Sequence, residues 1–137
     1  MNNRKLSVLL AEDNPISSKL AQINISKMGH KLDVVYNGQQ AVEKFLLNKY
    51  DIILMDIEMP IMNGIDATKR IREIECENHL DEHIRIVAMT AHDGEELKKY
   101  HYSGLDDYCS KPYKRDELSR LFQWNIIDYD AHKNILP

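Results

Sequence analysis

The sequence predicts a single α/β domain in which helices cover both faces of a parallel β-sheet. Five short apolar segments alternate with five segments of helical pattern, and this alternation is typical of three-layer α/β folds. The segment 52–55 is a continuous run of large apolar residues, which indicates a strand buried on both faces. A length of 137 residues with 43% hydrophobic residues fits one domain of ordinary size.

Each predicted strand is followed by a predicted helix. Strands are expected over residues 6–11, 32–36, 52–55, 84–89 and 107–110. Helices are expected over residues 15–28, 39–47, 65–74, 93–102 and 115–126. The polar stretch 75–83 has no periodicity, so we expect a surface loop there, and 128–137 is expected to be a tail or the start of a linker.

Local signals mark several of the helix ends. Asn14 followed by Pro15 favours the start of the first helix, and Gly29 favours its end. The pairs Asn37-Gly38 and Asn63-Gly64 are typical of turns.

The first helix also shows helical periodicity in its apolar residues. Ile16, Leu20 and Ile23 recur at helical spacing and form one apolar face. Comparable apolar pairs or triplets occur in the second helix (Ala41 with Phe45, Val42 with Leu46), the third (Ala67, Ile71, Ile74) and the fifth (Leu118, Leu121, Phe122).

Composition narrows the class of protein. A formal net charge of -4 with no basic stripe argues against direct binding to nucleic acid. The two cysteines, Cys76 and Cys109, form no disulfide framework or metal-binding pair. No signal-peptide pattern and no membrane-spanning apolar stretch is found. We therefore expect a cytoplasmic domain without membrane contact.

Chemically active side chains follow four of the five predicted strands. Glu12 and Asp13 follow the first strand, Asp56 the third, Thr90 the fourth and Lys111 the fifth. The carboxyl ends of parallel strands share one edge of the sheet, so these groups are expected to meet in one cleft. Three carboxylates call for a cation, and an all-oxygen set suits Mg²⁺. A lysine and a hydroxyl beside the metal can hold a phosphoryl group, which a carboxylate can accept as an aspartyl-phosphate.

Each of these residues also has an ordinary explanation when it is taken alone. Asp56 can simply end its strand in a turn, and Glu12 and Asp13 can cap the first helix. Thr90 can be a β-branched strand end and Lys111 a solvated lysine. Their joint placement at four strand ends favours the functional interpretation.

Several motifs together resemble the receiver domain of two-component response regulators. They are Leu-Leu-Ala-Glu-Asp-Asn at 9–14, Met-Asp-Ile-Glu-Met-Pro at 55–60 with Asn63-Gly64, Ala-Met-Thr-Ala at 88–91 and Lys-Pro at 111–112. The likeness covers about residues 5–127 and is strongest to receivers of hybrid histidine kinases. It implies a flavodoxin-like (βα)5 sandwich with sheet order 2-1-3-4-5, and a receiver domain over 1–127.

The resemblance also implies roles for the residues at the strand ends. Asp56 would be the phosphoacceptor, and Mg²⁺ would be held by Glu12, Asp13, Asp56 and the backbone carbonyl of Glu58. Thr90 would bind a phosphoryl oxygen and Lys111 would pair with the phosphoryl group.

The remaining implied roles concern switching and regulation. Tyr108 would be the switch aromatic, turning inward when Thr90 moves, while Glu58 and His92 would tune hydrolysis of the aspartyl-phosphate. The partner that donates phosphate would be a histidine kinase or a histidine phosphotransfer protein. An output partner would bind the face formed by the predicted fourth helix, fifth strand and fifth helix. The domain would not be an enzyme, beyond its own phosphorylation and slow autodephosphorylation.

Two other classes share parts of this pattern. A Mg²⁺-dependent phosphohydrolase with an aspartyl nucleophile typically has a second Asp two residues later, where this chain has Glu58. A flavin-binding module of the same fold would need a phosphate loop where Glu12 and Asp13 would repel phosphate. The sequence is compatible with a stand-alone regulator or, as we favour, a receiver excised from a larger kinase.

Overall fold

A computed structural model describes the backbone of residues 4–80, 83–91 and 103–135, and side chains as far as residue 127. Five parallel strands form one sheet in the order β2-β1-β3-β4-β5, which confirms the expected topology. The strands are β1 (Ser7–Ala11), β2 (Lys31–Val35), β3 (Ile52–Asp56), β4 (Arg85–Thr90) and β5 (Asp107–Ser110). The described helices are α1 (Pro15–Lys27), α2 (Gly38–Leu47), α3 (Gly64–Glu77) and α4 (Arg115–Ile135).

The helix numbering differs from the predicted one because 93–102 lies outside the described residues, so the predicted fourth helix is not among them. The helix α4 is the one that the sequence predicts as the fifth. It continues through Ile135, beyond the expected end at 126, and α3 continues to Glu77, beyond the expected end at 74. The division into a domain over 1–127 and a following tail or linker stays a prediction. None of the described helices is both long and apolar enough to cross a bilayer.

The core lies on both faces of the sheet, and β3 is buried along its whole length. Buried side chains of α1 and α4 pack on one face, including Ala21, Ile25, Leu118, Leu121 and Phe122. Buried side chains of α2 and α3 pack on the other face, including Ala41, Val42, Ala67, Ile71 and Ile74. Burial of β3 from both sides explains why its sequence is continuously apolar rather than alternating.

The apolar face that the sequence predicts in α1 points to solvent. Ile16, Leu20 and Ile23 are 80%, 40% and 43% exposed, whereas the side chains that pack on the sheet include Ala21 and Ile25. The helix lies against the sheet through a face that includes small residues. Periodicity locates an apolar stripe on a helix but does not show whether the core or the solvent covers it.

The two Asn-Gly pairs start helices instead of forming isolated turns. Asn37 Oδ1 accepts a hydrogen bond of 2.8 Å from the backbone N–H of Gln40. Asn63 Oδ1 accepts one of 2.8 Å from Asp66 N. An Asn side chain that satisfies an unpaired N–H in the first turn is a helix N-cap, so the predicted turns are corrected to the starts of α2 and α3.

Candidate functional site

Three carboxylates meet at the carboxyl edge of the sheet. Glu12 and Asp13 directly follow β1, Asp56 ends β3, and the ligand atoms of the three lie within 4.8 Å of one another. Glu12 and Asp56 are 0% and 4% exposed, whereas Asp13 faces solvent. A hard cation such as Mg²⁺ prefers oxygen ligands and keeps several waters. The donor set therefore fits Mg²⁺, with the exposed Asp13 on the solvent side.

The ammonium of Lys111 lies among these carboxylates. Its Nζ is 2.6 Å from Glu12 Oε1 and 3.3 Å from Asp56 Oδ2. The residue directly follows β5, and its peptide bond to Pro112 is cis. The backbone N–H of Lys111 donates a 2.7 Å hydrogen bond to the carbonyl of Thr90. The pairing of β4 with β5 thus sets the position of Lys111 relative to the end of β4.

Sequence reasoning missed a fifth member of the cluster, Tyr113. Its hydroxyl donates a hydrogen bond of 2.9 Å to Glu12 Oε1, and the side chain is 1% exposed. A buried tyrosine hydroxyl usually has a partner. The available signal was a tyrosine two residues after Lys111, which follows the same strand end.

The electrostatics of the site reflect the crowding of negative charge. Burial raises the pKa of Asp56 to about 7, and the neighbouring Glu12 adds to the rise. Burial also acts to raise the pKa of Glu12, but contacts with Asp56, Lys111 and Tyr113 outweigh it and the pKa is lowered. Burial lowers the pKa of Lys111, but its two carboxylate partners outweigh that effect and the pKa is raised. One ammonium thus faces more carboxylates than it can neutralise, which favours binding of a further cation.

The other residues that the sequence predicts to be functional differ in their exposure to solvent. Thr90 is 3% exposed at the end of β4, and Tyr108 is 43% exposed on β5. The side chain of Glu58 is exposed and lines an open cleft of about 760 Å³ together with Asp13. His92 lies outside the described residues.

Glycine allows the loop after β3 to approach the site closely. Gly64 N donates a 2.9 Å hydrogen bond to the carbonyl of Ile57. A Cβ atom at Gly64 would overlap the carbonyl oxygen of Asp56. Gly38 at the start of α2 is equally confined, since its Cβ would lie 2.5 Å from the carbonyl oxygen of Met62. Gly64 thus lets the loop approach the end of β3, and Gly38 lets the start of α2 approach the loop.

Exposed apolar side chains occur within a few residues of the acidic site residues in the sequence. Asn14 caps α1, and Ile16 follows in the first turn of that helix, three residues after Asp13. The apolar stripe of α1 therefore begins beside the acidic cluster. Ile61 in the loop after β3 is also 84% exposed.

Residues 8–123 match the family described as response regulator receiver domain. The chain is 41% identical over 115 residues to two-component response regulator 24 of Arabidopsis thaliana, covering 83% of this chain and 79% of that protein. It is 39% identical over 128 residues to hybrid signal transduction histidine kinase I of Dictyostelium discoideum. That match covers 89% of this chain but only 7% of the kinase.

Two solved structures are similar across most of the chain. One is a co-crystal structure of a histidine phosphotransfer signalling protein of Saccharomyces cerevisiae and the receiver domain of its downstream response regulator. It matches with a TM-score of 0.83 and 30% identity over 90% of this chain and 91% of that chain. The other is the receiver domain of a Pseudomonas aeruginosa sensor histidine kinase with a magnesium ion coordinated in the active site cleft. It matches with a TM-score of 0.78 and 33% identity over 90% of this chain and 98% of that chain.

Proposed function

The chain belongs to the response regulator receiver domain family, and from this premise we propose that Asp56 carries the phosphoryl group through which it signals. The supporting observation is the convergence of Asp56 with Glu12, Asp13 and Lys111 at one edge of the sheet. Asp56 is the member of this cluster at the end of the central strand, between the acidic pair after β1 and the lysine after β5. This arrangement matches the requirements of phosphoryl transfer, which depends mainly on positioning and charge stabilisation.

The proposed reaction transfers a phosphoryl group from a phosphohistidine of a partner protein. The bond between the histidine nitrogen and phosphorus breaks, and a bond forms between an Asp56 oxygen and phosphorus. The other ring nitrogen of the phosphohistidine carries a proton, so the histidine leaves as neutral imidazole with the electron pair of the broken bond. Lys111 leaves its position between Glu12 and Asp56 to pair with the phosphoryl oxygens. Asp56 attacks as the carboxylate, so any proton it holds must be lost first.

We propose that Mg²⁺ is held by Glu12, Asp13, Asp56 and the backbone carbonyl of Glu58. When bound, it supplies positive charge that neutralises the phosphoryl oxygens. The all-oxygen donor set supports this choice of metal, as does the magnesium ion in the similar Pseudomonas receiver.

The proposed output is a change at β4, β5 and α4. Thr90 is buried and binds a phosphoryl oxygen after transfer, and Tyr108, which is half exposed, turns into the space that Thr90 vacates. An output partner then recognises the face of β5 and α4 together with the predicted fourth helix. These elements would have two conformations, and the charge added at Asp56 would shift the equilibrium between them. Glu58 and His92 are proposed to tune the rate at which the aspartyl-phosphate hydrolyses.

The phosphodonor is proposed to be a histidine kinase or a histidine phosphotransfer protein that docks on α1. Ile16, Leu20 and Ile23 form an exposed apolar stripe that starts beside the acidic cluster. Exposed apolar patches of this kind often mark protein interfaces. The similar yeast receiver was crystallised with a histidine phosphotransfer protein, which supports that class of partner. Such an exchange between signalling proteins is expected in the cytoplasm.

The domain is proposed to act on no separate substrate, beyond catalysing its own phosphorylation and slow autodephosphorylation. The alternative is a Mg²⁺-dependent phosphohydrolase with Asp56 as nucleophile, and Glu58 stands where such an enzyme typically has its general acid. Multiple turnover of a phosphate ester would support the hydrolase and contradict the receiver.

The direct test is phosphorylation by acetyl phosphate in the presence of Mg²⁺, followed by intact mass. Wild type is expected to gain one phosphate and Asp56→Asn none. Asp66→Asn is a matched control, because Asp66 is an exposed acid that lines the cleft together with Asp13 and Glu58, and it should gain the phosphate. A phosphate that persists in Asp56→Asn would contradict the assignment.

The docking surface is tested by comparing two donors. In the double variant Ile16→Ser, Leu20→Ser, transfer from a phosphorylated histidine phosphotransfer protein should slow by roughly tenfold or more, as expected for apolar anchors at an interface. Transfer from acetyl phosphate should not change. Leu47→Ser is a suitable control, since Leu47 is 80% exposed at the end of α2. Equal slowing with both donors would rule out docking on this stripe.

A further inference from the structure

We propose that Tyr113 is a positioning residue that holds the metal-binding carboxylate of Glu12 in place, a role that rests on the function proposed above. The Tyr113 hydroxyl donates to Glu12 Oε1 at 2.9 Å, and the two side chains are 1% and 0% exposed. A hydrogen bond between a buried phenol and a buried carboxylate is strong and is not exchanged for one to water.

The two oxygens of Glu12 have different environments. Oε1 accepts from both the Tyr113 hydroxyl and the Lys111 ammonium, at 2.9 and 2.6 Å. Oε2 accepts a longer bond, of 3.3 Å, from the backbone N–H of Asn14. Two short bonds fix Oε1, so Oε2 is the oxygen with more capacity left for a cation. Tyr113 and Lys111 together therefore orient the carboxylate.

The tyrosine is itself firmly anchored. Its ring belongs to the core cluster that includes Leu10 and Phe122. Its backbone carbonyl accepts a 2.9 Å hydrogen bond from Asn24 Nδ2 of α1. Because the ring and the backbone of Tyr113 are both fixed, its hydroxyl cannot easily follow a movement of the carboxylate. The hydrogen bond therefore limits the movement of the Glu12 carboxylate.

The pair depends on the length of the Glu12 side chain. An aspartate at this position is shorter by one carbon–carbon bond, about 1.5 Å, so it would not reach the Tyr113 hydroxyl from the same backbone position. We infer that Glu12 and Tyr113 act as a matched pair, in which the tyrosine compensates for the additional rotatable bond of glutamate.

The test measures binding of Mg²⁺ alone to the unphosphorylated protein by isothermal titration calorimetry. Tyr113→Phe should weaken Mg²⁺ binding by roughly tenfold, as is usual when a residue that orients a metal ligand is lost. In phosphorylation by acetyl phosphate, the Mg²⁺ concentration for half-maximal rate should rise to a similar extent. The rate at saturating Mg²⁺ should stay close to that of wild type.

Two further variants separate positioning from general damage. Tyr50→Phe removes the same kind of bond at a distance from the site, since Tyr50 donates to Asp33 Oδ2 at 2.7 Å, and it should leave Mg²⁺ binding unchanged. In the Glu12→Asp background, Tyr113→Phe should have no further effect, because the shorter carboxylate does not reach the hydroxyl.

Three results would overturn the proposal: wild type binds no Mg²⁺, Tyr113→Phe binds it as tightly as wild type, or the loss is equally large in the Glu12→Asp background. A wild-type protein that binds Mg²⁺ but takes no phosphate from acetyl phosphate would instead contradict the proposed function. The calorimetric comparison of Tyr113→Phe with wild type would still decide the inference in that case.

Discussion

The ammonium of Lys111 lies closer to Glu12 than to Asp56, at 2.6 Å against 3.3 Å. Glu12 is fully buried, and its carboxylate also accepts the hydroxyl of Tyr113. In this state the lysine is bound mainly to Glu12. A phosphoryl group on Asp56 would offer it a more highly charged partner, so the lysine is expected to exchange one partner for another during switching.

Lys111→Ala is therefore expected to retain Mg²⁺ binding but to lose the conformational response. The carboxylates that would bind the metal remain in the variant. The ammonium that would link the phosphoryl group to the end of β5 is lost. Hydrogen exchange of β5 and α4, measured with Mg²⁺ and beryllium fluoride as a phosphoryl mimic, checks the response. Lys114→Ala is the control, because Lys114 is exposed three residues further on. An unchanged response in Lys111→Ala would mean that the switch operates without this contact.

Gly64→Ala should destabilise the domain and disturb phosphorylation at Asp56. The new methyl group would overlap the carbonyl oxygen of Asp56, and overpacking of this kind costs about 1–3 kcal/mol. Urea unfolding gives the change in the free energy of unfolding, and acetyl phosphate gives the rate of phosphorylation.

A suitable control for this variant is Gly29→Ala. Gly29 has a φ of +85° and open space around its Cβ position, so an alanine there costs about 1–2 kcal/mol of backbone strain but does not touch the site. Its rate of phosphorylation should match wild type. Equal rates in Gly64→Ala and wild type would show that the site tolerates the displaced carbonyl.

The strand ends were predictable because a parallel sheet brings them to one edge regardless of how far apart they are in sequence. Asp56 and Lys111, for example, are adjacent for this reason. The direction of the α1 stripe was not predictable, since Ile16 and Leu20 have the spacing of a core-facing pair. The bond from Tyr113 to Glu12 joins residues 101 positions apart, and no local pattern encodes such a pairing.

Arg72→Met should destabilise the protein much more than Arg70→Met on the same helix. Arg72 donates to Glu75 Oε1 at 2.8 Å, to Asp106 Oδ2 at 2.7 Å and to the carbonyl of Ile84 at 2.7 Å, and Glu75 is 1% exposed. Removing one partner of a buried ion pair costs about 3 kcal/mol or more, because the other charge stays buried.

Arg70 pairs with exposed glutamates, so its loss should change stability little. Urea unfolding of both variants gives the comparison. Similar unfolding midpoints for the two would show that the contacts of Arg72 do not stabilise the connection of α3 to β4.

His30 is expected to destabilise the fold as pH falls below 6.5, in opposition to Asp56, whose raised pKa of about 7 means that its protonation favours the folded state. Its Nδ1 accepts a 3.0 Å hydrogen bond from the backbone N–H of Leu6, and its ring makes a T-shaped contact with the ring of Phe122. Burial lowers the pKa of His30 below its ordinary value of 6.5, although the charge of Asp51 opposes this shift. At His30 the unfolded chain therefore binds more protons than the folded one, so the contribution of His30 to stability decreases as pH falls from 6.5 through its folded pKa.

His30→Asn should reduce this dependence, because the asparagine oxygen can accept the bond from Leu6 without titrating. Between about pH 7.5 and 5, the range in which histidine titrates, the urea midpoint of His30→Asn should therefore increase relative to that of wild type as pH falls. His79→Asn serves as the control, since His79 is exposed and has a φ of 53° that asparagine tolerates. It should follow the wild-type curve. Parallel curves for His30→Asn and wild type would show that protonation of His30 does not oppose folding.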